Sequence, residues 1–287
     1  MAKPNFIELP DCEPMPILYE DRSVIAMDKP RGWMLLPVSW QNTGHNLQAA
    51  INSSIAARDF WARSRGIKFL RYIHRLDADT SGILLLAKSP GAVETYSDLF
   101  EGRKMEKTYL AVVDGQPREA EWICRLKLAP DPRRIGRMKV DAREGKEAET
   151  HFRVLQKKET LTLVEARPFT GRTHQIRVHL AEAGCPVVGD ELYGRVNVKT
   201  SPDSSSRRKE AHFKTGNEME PRHLGCYETL KETPMNLGLR AVRLAYADPF
   251  TRRRVDIQAP KENFLKEYGF DNCSGGLRPP PNGKAGQ

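Results

Sequence analysis

Three polar clusters in this 287-residue chain carry side chains able to do chemistry. The first, His74-Arg75-Leu76-Asp77-Ala78-Asp79-Thr80-Ser81-Gly82, is squeezed between the strand-like segment 69–73 and the apolar run 83–87. Polar residues in that setting sit on a loop held by a rigid scaffold, where reactive groups concentrate. Three chemistries fit them: a charged turn whose Asp side chains bond the backbone, a Mg²⁺ site on Asp77-x-Asp79, or half of a glycosidase-like carboxylate pair. The second cluster, Arg167-Pro168-Phe169-Thr170-Gly171-Arg172-Thr173-His174-Gln175-Ile176-Arg177, sets three cationic or titratable groups beside the start of a helix. A helix beginning near Thr173 would offer free amides beside Arg172, His174 and Arg177, an anion-friendly end. Ordinary N-capping by Thr170 or Thr173 fits the same pattern. His174 and His179 are off a common helical face and make a poor metal pair. The third cluster, Lys104-Met105-Glu106-Lys107-Thr108-Tyr109, runs into an apolar strand in which Tyr109 alternates with hydrophobic neighbours, the setting of a packed tyrosine.

These clusters need elements to hold them. Residues 17–19 and 24–27 read as a hairpin. Residues 46–65 carry Leu47, Ile51, Ile55 and Phe60 near helical spacing. Segment 83–87, with Gly82 before it, reads as a buried central strand, and 90–100 as a helix with Pro90 in its first turn and Val93, Tyr96, Leu99 and Phe100 inward. Strand character returns at 108–113, 121–128, 150–155, 160–166, 237–246 and 254–257, with a helix at 172–183 closed by Gly184. Helices followed by a run of strands predict an α+β fold with a mixed, mostly antiparallel central sheet. Residues 1–15 read as an extension, 16–260 as the folded body, 195–222 as a flexible insertion and 261–287 as a largely irregular tail.

Composition narrows the class. Hydrophobic residues at 39% and charged residues at 29% belong to a globular protein, and no apolar run is long enough to cross a bilayer. The N-terminus has no apolar core of a signal peptide, so a cytoplasmic protein is expected. Five scattered cysteines without a CxxC pair predict neither a zinc site nor a disulfide framework. The net charge of +9 suits a polyanion partner. Between residues 103 and 158 there are fifteen Lys/Arg against nine Asp/Glu, so most of the excess lies there; 125–143 alone holds seven Lys/Arg.

His74-Arg75-Leu76-Asp77 with Thr80-Ser81-Gly82, then Lys107-Thr108-Tyr109, then Gly171-Arg172-Thr173-His174-Gln175-Ile176-Arg177 occur together and in order. So arranged, the chain resembles the RluA family of RNA pseudouridine synthases. The likeness extends from Ile17-Leu18-Tyr19-Glu20-Asp21 and Asp28-Lys29-Pro30-Arg31-Gly32, through Gly145-Lys146-Glu147-Ala148-Glu149-Thr150, to Gly189-Asp190-Glu191-Leu192-Tyr193-Gly194 and the 239–260 strands; it covers roughly 16–260, leaving 195–222 outside. It implies isomerisation of uridine in structured rRNA or tRNA, without cofactor or metal, by a form lacking an N-terminal S4-like domain, with a monomer as the expected state. Asp77 falls at the family's catalytic Asp, which would attack C1′, stabilise an oxocarbenium-like state or remove a ribose proton; Arg177 at the arginine that pairs with it; Tyr109 at the tyrosine that stacks on the target uracil and assists proton removal from C5. Arg75 would enter the RNA stack where the uridine left, supported by His74. Arg172, Thr173 and His174 are further substrate-binding candidates, and the basic 125–143 loops would clamp the RNA backbone. The chain departs from the pattern at Leu239-Arg240-Ala241 and Asp248-Pro249, which puts local RNA contacts there in question. Two other readings compete: a catalytically silent RNA-binding protein, and a Mg²⁺-dependent transferase using Asp77-x-Asp79.

Overall fold

The computed structural model describes residues 3–10, 12–35, 45–194 and 235–270. The chain opens with β1 (Phe6–Ile7), β2 (Met15–Glu20) and β3 (Val24–Lys29), then α1 (Leu47–Ala56), α2 (Phe60–Arg63), β4 (Arg71–Tyr72), β5 (Ser81–Ala87) and α3 (Pro90–Glu101). There follow β6 (Glu106–Asp114), β7 (Glu121–Cys124), β8 (Leu128–Pro130), β9 (Met138–Val140), β10 (Thr150–Lys157), β11 (Leu161–Pro168) and α4 (Gln175–Glu182). The last elements are β12 (Leu239–Ala247), β13 (Arg254–Gln258) and α5 (Glu262–Glu267).

One 11-stranded sheet organises the molecule in the order β1-β2-β3-β5-β12-β6-β11-β10-β7, with β13 added to β12 and β4 to β5. β5 and β12 are parallel, whereas β3–β5, β12–β6, β6–β11 and β11–β10 are antiparallel. The predicted mixed, mostly antiparallel α+β fold is what the chain adopts. Alternation of side chains across each strand explains why the sheet is covered on both faces. Ile25 and Met27 join one apolar cluster with Leu84 and Leu86, while Val24 and Ala26 join another with Ile83 and Leu85. Further along, Ala111 and Val164 pack with Ile176 and Leu180 of α4, while Leu110, Val112 and Leu163 pack with Phe264 and Leu265 of α5.

Several boundaries differ from the sequence expectation. Ordered structure begins before residue 16: Ile7 is fully buried and pairs with Met15. Residues 46–65 form two helices, because Arg58 takes a left-handed φ of 58° and turns the chain between them. The 121–128 segment is divided between β7 and β8. The start of the supposed tail is α5, whose Phe264 and Leu265 bury a sheet face that hydropathy alone left without a partner. Insertion 195–222 lies outside the described residues.

Gly82 shows how tightly the middle of the sheet is built. It sits at φ +109°, and any Cβ there would collide with the backbone of Ala241 on β12. Only glycine lets β12 approach β5 beside the Asp77 loop.

Candidate active site

The loop 73–80 arrives from the short strand β4 and folds back into β5, so Asp77 is displayed at the N-terminal end of a fully buried strand. Lys29, at the end of β3, holds it there. This lysine is 0% exposed, and its Nζ donates to the carbonyls of Pro30 (2.9 Å), Ala78 (2.7 Å) and Thr80 (3.0 Å). Burial lowers the Lys29 ammonium from 10.5 to about 8, an effect opposed by the charges of Asp79 and Asp77.

Opposite Asp77 lies the start of α4. Arg177 Nη1 donates to Asp77 Oδ2 at 3.3 Å. Its other face is clamped by Asp190, with Nε to Oδ2 and Nη2 to Oδ1 both at 2.8 Å, a bidentate pair that sets the guanidinium plane. Burial disfavours the Arg177 charge, but the Asp190 and Asp77 carboxylates outweigh it and raise its pKa. Asp190 in turn is fixed by the amides of Leu192 and Tyr193, both at 3.0 Å. The Tyr193 ring lies 5.3 Å from the Arg177 guanidinium and 5.2 Å from that of Arg137.

The helix does not start as the sequence suggested. It begins at Gln175, and the preceding residue, His174, adopts a left-handed φ of 54° with no side-chain cap. Such a conformation costs of order 1–3 kcal/mol and persists where surrounding contacts dictate it. Gln175 supplies those contacts: its Oε1 accepts from Arg172 N (3.0 Å) and Thr170 Oγ1 (2.7 Å), and its Nε2 donates to Glu149 O and Thr150 Oγ1, each at 2.9 Å. Thr170 is thereby engaged with Gln175 instead of capping the helix. The twist aims the His174 ring at the carboxylate, with Nε2 3.9 Å from Asp77 Oδ1 and Nδ1 2.9 Å from Tyr193 Oη. Burial holds His174 below its usual pKa, against the pull of Asp77.

Tyr109, on β6, pairs in register with Ala241 and Ala166 and so stands at the centre of the sheet. Burial, with the nearby Asp77 charge, pushes its hydroxyl above the usual range and keeps it protonated. Lys107, one turn of the pleat earlier, donates to Thr170 O at 3.0 Å and is lowered by burial to about 8.

All eight residues singled out from the sequence line one cleft of about 380 Å³: Asp77, Tyr109, Arg177, His74, Arg75, Arg172, Thr173 and His174. That volume is in the range of single-ligand sites, roughly 300–1,000 Å³. His74 and Arg172 are bound to backbone groups. His74 Nε2 accepts from the Leu85 amide at 3.1 Å, its ring lies on Phe100 at 4.6 Å, and burial lowers it to about 3, so it offers the cleft a neutral ring edge. Arg172 Nε donates to Glu147 O at 2.9 Å. Arg75 is exposed at the mouth and donates to Thr173 Oγ1 at 3.1 Å. Five Lys/Arg and two carboxylates line the cleft, so a polyanion is favoured.

Sequence reasoning gave no role to Lys29, Lys107, Gln175, Asp190 or Tyr193, although each lay inside a quoted motif. Conversely, the two departures from the family pattern are framework contacts. Arg240 is buried and binds Asp28 at 2.6 Å and Pro260 O at 2.9 Å. Asp248 accepts from Tyr96 Oη (2.6 Å) and from the amides of Phe250 and Thr251, closing the β12–β13 turn. Among the described residues, no group of three or more His, Cys, Asp or Glu is placed to hold a metal ion.

Comparison with known proteins agrees with this geometry. Residues 23–182 match the family described as RNA pseudouridylate synthase. The chain is 33% identical over 259 residues to ribosomal large subunit pseudouridine synthase C of Salmonella typhimurium, covering 87% of this chain and 67% of that protein. It is 36% identical over 184 residues to the uncharacterized RNA pseudouridine synthase YlyB of Bacillus subtilis, covering 63% of this chain and 59% of that one, less than two thirds of its length. The human RNA pseudouridylate synthase domain containing 1 shares the fold, with a TM-score of 0.62 at 23% identity over 90% of this chain and 87% of its own. Human domain containing 4 does so too, at 0.61 and 20% over 89% and 92%. With three separate motifs converging on one carboxylate and the family matched over more than half of its length, the chain belongs to the RNA pseudouridine synthases of the RluA type.

Proposed function

We propose that this chain isomerises uridine to pseudouridine in structured RNA, ribosomal RNA foremost, with Asp77 as the catalytic carboxylate. The observation that carries the reading is the Asp77 carboxylate, held by Arg177 at 3.3 Å in a cationic cleft with the Tyr109 ring beside it. The relatives named as ribosomal large subunit enzymes favour rRNA over tRNA. No helix among the described residues is long and apolar enough to cross a membrane; action in the cytoplasm as a monomer completes the proposal.

The reaction breaks the N1–C1′ bond of uridine, turns the uracil, joins C5 to C1′, removes the C5 proton and returns one to N1, so nothing is gained or lost. A carboxylate at Asp77 serves this by attacking C1′, by stabilising positive charge there, or by removing a ribose proton. Arg177 orients it. Tyr109, kept as a neutral phenol, is better suited to stack on the turning base than to take its proton, since the phenolate is disfavoured by burial and by Asp77. Exposed Arg75 fills the place in the helix that the flipped nucleotide leaves, which offsets part of the few kcal/mol that extrusion costs. Closure of the cleft by RNA keeps water from C1′, where hydrolysis would leave an abasic site.

The test is a pseudouridine map of rRNA and tRNA from cells lacking the gene, complemented with wild type or Asp77→Ala. Sites that vanish and return only with wild type support the reading and name the substrate. Full restoration by Asp77→Ala would remove Asp77 from the mechanism and favour the silent RNA-binding reading.

A further inference from the structure

At the far end of β5 from Asp77 the surface opens into a second groove, of about 720 Å³, that the catalytic reading does not use. Asp77 precedes Ser81 and Lys88 follows Ala87, so the seven residues of β5 separate the two sites by roughly 20 Å at about 3.3 Å per residue. Lys3, Arg22 and Lys68 line the groove, and all three are exposed. The two carboxylates of the groove are consumed internally. Glu20 is held by Lys88 Nζ (2.8 Å) and Arg65 Nε (2.9 Å). Asp21 Oδ1 accepts from the amides of Ser23 (2.7 Å) and Val24 (2.8 Å), and Oδ2 from Tyr19 Oη (3.0 Å). Five Lys/Arg therefore face two engaged acids, and the groove carries a formal excess of +3. Arg22 stands in the tight turn between β2 and β3 and Lys68 just before β4, so both cations ride on rigid, strand-anchored backbone.

We propose that this groove is a second RNA-backbone site, which takes phosphates of a helical segment extending beyond the nucleotide held in the cleft. The inference rests on the RNA-modifying reading for its ligand class. Its chemistry is that of point-charge recognition: lysine and arginine on a firm surface neutralise phosphates without reading sequence. Two basic sites on one chain, engaged by one RNA, make the second contact intramolecular, so the groove would favour long structured RNA over short fragments.

The test compares two labelled probes: an RNA duplex of about 24 base pairs, longer than the roughly 16 that a double-stranded RNA-binding domain spans, and a hairpin with a stem of about six. Binding is measured for wild type, Arg22→Ala/Lys68→Ala and the charge-preserving Arg22→Lys/Lys68→Arg, with thermal melting to confirm folding. Expected for the alanine pair is about fivefold to tenfold weaker duplex binding, a salt slope shallower by about 1.4–1.8, and less than about a twofold change on the hairpin. The charge-preserving pair restores wild-type behaviour. Equal duplex affinity and slope in all three proteins would overturn the inference, and so would an equal loss on both probes. Because binding is read without isomerisation, a chain that makes no pseudouridine yet shows the duplex-only loss would defeat the catalytic reading and leave the groove standing.

Discussion

Asp77 depends on a cation that is itself shared. Arg177 divides its donors between Asp77 and Asp190, and the Asp190 side chain is fully buried while that of Arg177 is 7% exposed. Deleting one member of such a pair leaves an uncompensated buried charge, which costs about 3–5 kcal/mol. Asp190→Ala is thus expected to lose that much stability in chemical denaturation and to lower kcat at the same time. Loss of activity with unchanged stability would show that the pair is not as desolvated as its geometry implies. Lys107 gives a second prediction. Its ammonium lines the cleft and is lowered by burial to about 8, so the cleft sheds a positive charge as pH rises through that value. KM for RNA should rise between pH 7 and 9, and Lys107→Arg should flatten the rise. A pH-independent KM in wild type would mean that Lys107 stays charged or faces no phosphate.

At the scale of elements, the β8–β9 hairpin packs on α4 through Leu128, Met138 and Val140 against Val178, and one tyrosine links it to the residue that precedes the helix. Met138 N donates to Tyr193 Oη at 2.8 Å, and the same oxygen lies 2.9 Å from His174 Nδ1. Tyr193→Phe removes both bonds while keeping the ring between Arg137 and Arg177. We expect a fall in kcat of about tenfold, equivalent to about 1.4 kcal/mol, with KM little changed. A change confined to KM would place the tyrosine's role in RNA binding alone. Lys29 is the counterpart on the other wall. Lys29→Met leaves two carbonyls of the Asp77 loop, Ala78 and Thr80, and that of Pro30 without their donor, and a fall in both kcat and melting temperature is expected, since each unsatisfied buried group costs about 1–3 kcal/mol. Preserved kcat in that variant would show that β5 alone holds the loop.

For the whole molecule, buried titratable groups set a pH profile of stability. Lys29 and Lys107 fall to about 8 on folding from 10.5, so between those values the unfolded chain binds more protons and stability rises with pH. Tyr96, Tyr246 and Tyr109 are raised from 10.0 by burial, so above pH 10 the folded state retains protons the unfolded chain sheds, and stability falls. Denaturation midpoints should climb from pH 8 towards 9.5 and drop beyond 10. A steady decline from pH 7.5 would contradict the depressed lysines.

The sequence alone determined most strands and which residues could do chemistry. The unbroken apolar run 83–87 and the apolar-rich 108–113 mark strands buried in a sheet, and the Asp77, Tyr109 and Arg177 motifs carry the resemblance that picks out the proposed catalytic residues, because side-chain type and local pattern are properties of contiguous residues. Where the chain is cut into elements was less legible. Arg58 and His174 occupy left-handed backbone that only their surroundings impose. The tail residues Phe264 and Leu265 acquired a helix because Leu110 and Val112 needed covering. What tertiary structure alone decided is long-range pairing: that Lys29 grips a loop 49 residues away, that Asp190 completes Arg177, that Arg240 and Asp248 are framework, and that the Lys3–Arg22–Lys68 groove exists. Such contacts join residues far apart in the chain, and no local periodicity encodes which carbonyl or carboxylate a buried cation will find.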